Sequence, residues 1–369
     1  MATIPQQRNK TYLDVLRLVA IFLVVYNHTR GFYFLPYTGV ADIGYWGLYI
    51  FDELVKMGVP LFLIISGALL LHRDEPVSVV FRKRILRFLI VTILISFIQY
   101  AISCCCQQES FDIAYFIDHQ KFALWECNDF YASWYLYAYL GILVVLPFLR
   151  AIAKNLTHQS FLYLLILQFI TCSVLPLLFL CLGGTIEYGP IHFWLPFHPY
   201  TIYIPFSAGY CIFYMLMGYY LEHRITPDTW KKHQSKLILL ALSSLALGAL
   251  GMEIERYTRG VSCLSQPSIY LTSFIPIPCA VFYLYIKFRY QDVILQQKTK
   301  NIIAACGAAT FTIMLTENIF RVSLVKYQQF LESFIGRVPS ATLFTIGLCS
   351  ITLIIGLLLK RTPILKRLF

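Results

Sequence analysis

Arg17 and His28 stand eleven residues apart inside one long apolar run that extends from Leu13 to Thr29. An imidazole can take a proton from a hydroxyl near neutral pH, and a guanidinium can hold an anionic group. An ionisable residue inside a membrane span is a functional hypothesis by default. At about 100° per residue the step makes roughly three full turns, so both side chains share one helix face about 16 Å apart along the axis. A buried Arg costs roughly 2.5–3.5 kcal/mol on insertion scales, so Arg17 needs a partner, and Asp14 at i−3 is the nearest carboxylate. The plainer alternative is that Asp14 and Arg17 pair as helix glue while His28 bonds to a neighbouring helix.

A second group is Arg82-Lys83-Arg84-Ile85-Leu86-Arg87. Arg84 and Arg87 at i,i+3 place two guanidinium forks on one helical face, an arrangement that suits a phosphate. It equally suits a charge cluster that only sets topology. A third group comprises Asp52, Glu53 and Lys56 in one apolar run and Glu317, Asn318 and Arg321 in another. Glu317 lies at about the depth of His28, so it can meet that imidazole, or Glu317 and Arg321 at i,i+4 can satisfy each other. Pro60 and Ser66-Gly67 lie between Lys56 and the second cluster, where small residues permit close helix approach.

These groups must be positioned by membrane helices. The chain has 369 residues, 58% hydrophobic and 13% charged, with mean hydropathy +0.66, a composition of polytopic membrane proteins rather than soluble enzymes. Ten mostly apolar runs fall near 12–32, 46–71, 85–105, 131–149, 160–182, 204–221, 237–252, 268–286, 302–323 and 341–359, all at or close to the length a span needs. The expected fold class is an all-α integral membrane protein of about ten transmembrane helices, with cytoplasmic N- and C-termini. That orientation leaves 21 Lys/Arg on the inner side and six on the outer, with Arg17, Lys56 and Arg321 inside spans, as the positive-inside rule requires. The net charge of +11 is thereby accounted for by topology, and no nucleic acid is expected. The first run is too long for a cleaved signal and contains Arg17, so it reads as an uncleaved span.

Inner connections are short and basic, whereas residues 106–130 and 183–203 are aromatic-rich outer connections that include Trp125, His192, Trp194 and Phe197. Such residues form an interfacial belt in any membrane protein, or a stacking platform for a sugar head group. No metal-ligand spacing occurs. Cys104-Cys105-Cys106 and Cys127 face the side where a disulfide is chemically permitted.

Taken in order, these residues resemble the membrane-bound acyltransferase family 3, particularly its surface-polysaccharide O-acetyltransferase branch. The resemblance rests on Arg17 and His28 within Leu13-Asp14-Val15-Leu16-Arg17, on Val59-Pro60-Leu61-Phe62-Leu63-Ile64-Ile65-Ser66-Gly67, and on the Arg84/Arg87 pair. Trp134-Tyr135-Leu136 and Met217-Gly218-Tyr219-Tyr220-Leu221 continue it, over nearly the whole chain. It implies one polytopic acyltransferase domain over 1–369 in the inner or plasma membrane. That domain would take an acyl group, usually acetyl, from cytoplasmic acetyl-CoA (acyl-CoA) and deliver it to a hydroxyl of a surface polysaccharide or lipid-linked glycan. In this reading His28, Arg17, Asp14 and Glu317 are catalytic, and Arg84, Arg87 and Arg17 hold the donor. Glu53, Lys56, Trp134 and Trp194 contact the acceptor, membrane lipid surrounds the protein, and no metal takes part. The family's late Ser-Phe-Gly-Ile-Tyr-Leu-x-His segment is replaced by Thr310-Phe311-Thr312-Ile313-Met314-Leu315-Thr316-Glu317, with Glu317 a substitute for the missing late side chain.

Direct transfer, with His28 as general base on the acceptor hydroxyl, is the mechanism these residues suggest; a covalent acyl-histidine is its variant. A transporter is the first rival, but it would more naturally show paired repeats with interrupted helices. A lipid-sugar glycosyltransferase is the second, and it would need an early outer acidic residue, for which only Asp42 stands between the first two spans.

Overall fold

The computed structural model describes residues 11–29, 43–107, 109–126, 134–170, 174–175, 178, 181–182, 209–258, 274–291, 293 and 295–359, and among them every regular element is helical. In chain order these are α1 (Thr11–His28), α2 (Ile43–Lys56), α3 (Gly58–Leu70), α4 (Val77–Val80), a π-helical turn (Phe81–Ile85), α5 (Leu86–Gln107) and α6 (Ile113–Glu126). They continue as α7 (Trp134–Asn155), α8 (His158–Phe169), α9 (Gly209–His223), α10 (Pro227–Thr258), α11 (Pro276–Gln291), α12 (Gln297–Ile335) and α13 (Arg337–Leu359).

Seven described segments are long and apolar enough to cross a membrane: Thr11–His28, Tyr49–Leu70, Val77–Cys105, Tyr135–Asn155, Pro227–Tyr257, Gln297–Ile335 and Arg337–Leu359. The chain is therefore an all-α, multi-pass membrane protein. At the other three expected spans, near 160–182, 204–221 and 268–286, the described helices α8, α9 and α11 have 12, 15 and 16 residues. Parts of those runs lie outside the described residues, as do 183–203 with Trp194, and Cys127.

Several boundaries differ from the apolar runs. The run 46–71 is interrupted at Met57, whose N–H reaches the Leu54 carbonyl at 3.2 Å before the helix resumes. Pro60, third residue of α3, has no N–H to return to the Lys56 carbonyl, so the ladder breaks there. α10 and α12 extend to 32 and 39 residues, beyond the expected 237–252 and 302–323, because apolarity marks the hydrocarbon layer whereas helix continues wherever capping and propensity allow. Thr226 caps α10 by accepting from Thr229 N–H at 3.2 Å, with Pro227 at the first helical position, where its missing N–H costs nothing. The connection 106–130 is not all loop either. Asp112 caps α6 by accepting from Ala114 N–H at 2.8 Å, and Phe111 and Phe116 close on Phe97 and Tyr100. Those two rings pack on α5. Cys104 is a buried free thiol and Cys105 an exposed one.

The core forms around α3, whose Leu61, Leu63 and Ile64 are wholly buried; a helix apolar all round belongs at a bundle centre. Gly67 rests on the Met215 carbonyl and Gly218 on the Ile64 carbonyl, so an added methyl at either would overlap the backbone opposite. This reciprocal contact presses α3 against α9, the close packing that holds membrane helices together where burial from water does not. On the other side α1 sits between α3 and α12. Gly58 leaves room for Val24 and the Ala20 carbonyl, while Ile21 and Val25 pack on Ile313, Phe344 and Leu348. α12 and α13 form an antiparallel pair across Gly336, whose φ of 80° suits glycine alone at low cost.

Candidate active site

The π-helical turn Phe81–Ile85 contains Arg82, Lys83 and Arg84. A π turn widens the helix by one residue and re-aims the side chains that follow, and such turns recur at functional sites. Here it borders an open cavity of about 310 Å³ lined by residues of α1, α3, α5, α7 and α12. Four cations, Arg17, Lys83, Arg84 and Arg87, line this space with the hydroxyls of Ser66, Tyr135, Tyr139 and Thr310 and the apolar Phe62, Phe88, Phe311 and Met314. Leu143 adds to the wall. Pro147 within α7 removes the N–H that would otherwise bond the Leu143 carbonyl.

The cations differ in how they are held. Arg17 donates to Asp14 at 2.6 Å, and Asp14 lies against Gly307 of α12, where a methyl would come within 2.6 Å of its Cβ. Arg84 donates from Nε and Nη2 to the two carboxylate oxygens of Glu75 at 2.9 and 2.7 Å. Glu75 stands in the α3–α4 turn, and the hydrogen bonds from Arg84 and then from Arg150 hold its carboxyl well below the usual range, at about 2. Among the described residues no carboxylate pairs with Lys83 or Arg87, and both are exposed. Of the four cavity cations, two therefore pair with a carboxylate and two do not.

Beyond the cavity, further along α1 and α12, stands a single pair. His28 Nδ1 lies 2.5 Å from Glu317 Oε1, with the imidazole 41% and the carboxylate 4% exposed. In the tautomer whose Nδ1–H donates to the buried carboxylate, Nε2 keeps its lone pair as an acceptor. Arg321 Nε is 3.9 Å from Glu317 Oε2, beyond hydrogen-bond reach, so it acts there by charge, while its Nη2 donates to Asn318. Lys56 donates to Asn27 at 2.6 Å and steadies the residue before His28. Met314, in the cavity wall, precedes Glu317 by three residues, about 4.5 Å along α12. The segment Thr310–Glu317 thus forms one cavity wall and ends on the carboxylate that orients His28.

Of the side chains expected to act, Arg17, Arg84 and Arg87 meet in the cavity, and His28 and Glu317 meet each other. The pairing question is answered for Oε1, which goes to His28 rather than Arg321. Glu53 is wholly buried, without a hydrogen-bond partner at either oxygen among the described residues, and is pressed against Gly248 of α10. Trp134 opens α7, but its side chain, like Trp194 as a whole, lies outside the described residues. Lys83, Ser66, Tyr139 and Thr310 join the site without having been singled out for it. Lys83 was visible within the basic cluster, but regular α-helical spacing puts it about 100° away from Arg84. Among the described residues no group of three or more His, Cys, Asp or Glu is arranged for a metal ion.

Residues 10–360 match the family profile described as "Acyltransferase domain". No curated protein and no solved structure matches the chain.

Proposed function

The chain belongs to the membrane-bound acyltransferase family 3, and we propose that it moves an acetyl group from cytoplasmic acetyl-CoA to a hydroxyl of a cell-surface or lipid-linked glycan. The observation that carries this reading is the shared wall of α12: Thr310, Phe311 and Met314 line the basic cavity, and one turn later Glu317 holds His28. Donor phosphates bind at Lys83, Arg84 and Arg87, with Arg17 deeper, and the pantetheine arm lies along Tyr139, Phe62 and Met314. The thioester then lies below His28. Nε2 of His28 takes the proton of the acceptor hydroxyl as its oxygen attacks the thioester carbonyl. The tetrahedral intermediate collapses, the C–S bond breaks, and the departing thiolate recovers that proton from the imidazolium. Glu317 fixes the tautomer and stabilises the transient imidazolium, as a carboxylate behind a catalytic His does.

Ten spans, cytoplasmic termini and a single domain over 1–369 in the inner or plasma membrane complete the proposal. The excess of 21 inner over six outer Lys/Arg supports the orientation. The course of α1 and α12, which run parallel with Asp14 beside Gly307 and His28 beside Glu317, supports the span count, since first and ninth spans run in the same direction. Native mass spectrometry of the purified protein tests the donor. A retained or added acyl-CoA bound one to one, with label passing to a glycan fraction, is the expected result; an acyl donor that is not a CoA thioester would refute it. In intact cells, a cysteine replacing His192 should react with an impermeant maleimide while one at Lys298 should not, and the reverse pattern would invert the topology.

A further inference from the structure

Arg84 reaches the cavity with one edge of its guanidinium already committed. Its Nε and Nη2 donate to both oxygens of Glu75 at 2.9 and 2.7 Å, the two-pronged geometry that fixes a planar fork in angle as well as position. Glu75 is fixed in turn. Arg150, 5% exposed on α7, donates from Nη2 to Glu75 Oε2 at 2.9 Å and from Nη1 to the Glu75 carbonyl at 3.4 Å. Its Nε donates to the Leu70 carbonyl at 3.1 Å, one of the carbonyls that the end of α3 leaves without an intrahelical partner. Arg73 adds charge 3.6 Å from Oε1. A short turn, the end of α3 and α7 are thus tied to one residue of the π-helical turn.

We infer that Glu75, braced by Arg150, is a positioning residue that holds the outward edge of Arg84 in the cavity wall and so sets affinity for the donor phosphates. This rests on reading that cavity as the donor site. A long Arg side chain has much rotamer freedom, which an unrestrained Arg84 would give up when the donor docks. The Glu75 fork removes that freedom beforehand, which is how preorganisation raises affinity. Because the flanking guanidinium groups hold the Glu75 carboxyl at about 2, the fork persists at any pH at which the enzyme would be assayed. Lys83 and Arg87 have no such brace, so the three cations of this cluster divide into one fixed and two adaptable contacts.

The test is a double-mutant cycle on the full-length protein in detergent, with coenzyme A titrated calorimetrically beside a steady-state transfer assay. Glu75→Gln should raise the Kd for coenzyme A and the KM for acyl-CoA about three- to tenfold, with kcat within about twofold. In an Arg84→Ala background the same Glu75→Gln change should add nothing, since the residue through which it acts is gone. An equal rise in both backgrounds, or none in either, overturns the inference. If Glu75→Gln fails to fold, Arg150→Lys is used instead; it keeps the charge, loses the fork, and should give a smaller rise that Arg84→Ala also cancels. Should Arg84→Ala and Arg87→Ala themselves leave coenzyme A affinity unchanged, the donor-site reading fails and takes this inference with it. Weakened binding in those two with no effect of Glu75→Gln sinks the positioning role alone.

Discussion

At the His28–Glu317 pair one imidazole faces one carboxylate that is 4% exposed, whereas in the basic cavity four cations share the wall and only two of them pair with Asp14 or Glu75. Chemistry that depends on one lone pair cannot be divided among residues, and its geometry must be fixed by burial and a single partner. Binding of a multiply charged anion can be divided, and it gains from several contacts of moderate strength. The two regions should therefore respond differently to mutation: abruptly at the dyad, in graded steps in the cavity.

The largest effect belongs to His28→Ala, which should lower kcat by about 10²–10⁴-fold, the usual contribution of a general base. Near wild-type turnover in that variant would reduce His28 to a packing residue and erase the contrast. Glu317→Gln comes next. It retains an acceptor for Nδ1–H but loses the charge, and a charged hydrogen bond worth roughly 1.5–3 kcal/mol corresponds to about 10–150-fold in kcat. A fall in KM in place of kcat would show that Glu317 serves substrate binding instead. Arg87→Ala should raise the KM for acyl-CoA by about tenfold at nearly constant kcat, because it removes ground-state and transition-state binding together. A collapse of kcat there would mean that the cavity is not a graded anion site. The smallest effect on transfer is expected from Gly218→Ala, which would overpack the α3–α9 contact at a cost of about 1–3 kcal/mol. Its thermal unfolding midpoint should drop while turnover per folded molecule stays at the wild-type level, which separates damage to the scaffold from damage to either end.

The sequence makes the separation of the two ends legible, since Arg17 and His28 sit on one helix at different depths and Arg84 and Arg87 stand in a basic cluster. Asp14 as partner of Arg17 was readable because the pair is local, at i,i+3. Glu317 was readable only as a residue of suitable depth, since its contact with His28 spans 289 positions and periodicity carries no information on which helices adjoin. The clamp at Glu75 was hidden for the same reason: Arg150 lies 75 residues away, and a loop glutamate before a proline looks like a solvated turn. Lys83 was obscured by the π-helical turn, which has no sequence signature as plain as a proline or a capping serine. Helix ends departed from apolar runs at α10 and α12 because hydropathy reports the bilayer interior and not the end of hydrogen bonding.

The division between a binding end and a reacting end is tested most directly by calorimetric titration of coenzyme A into purified His28→Ala protein, with acyl transfer assayed on the same preparation. The account predicts coenzyme A affinity within about twofold of wild type, since a general base contributes little to docking the donor, together with loss of transfer. Coenzyme A binding lost along with transfer, or transfer retained, would contradict it.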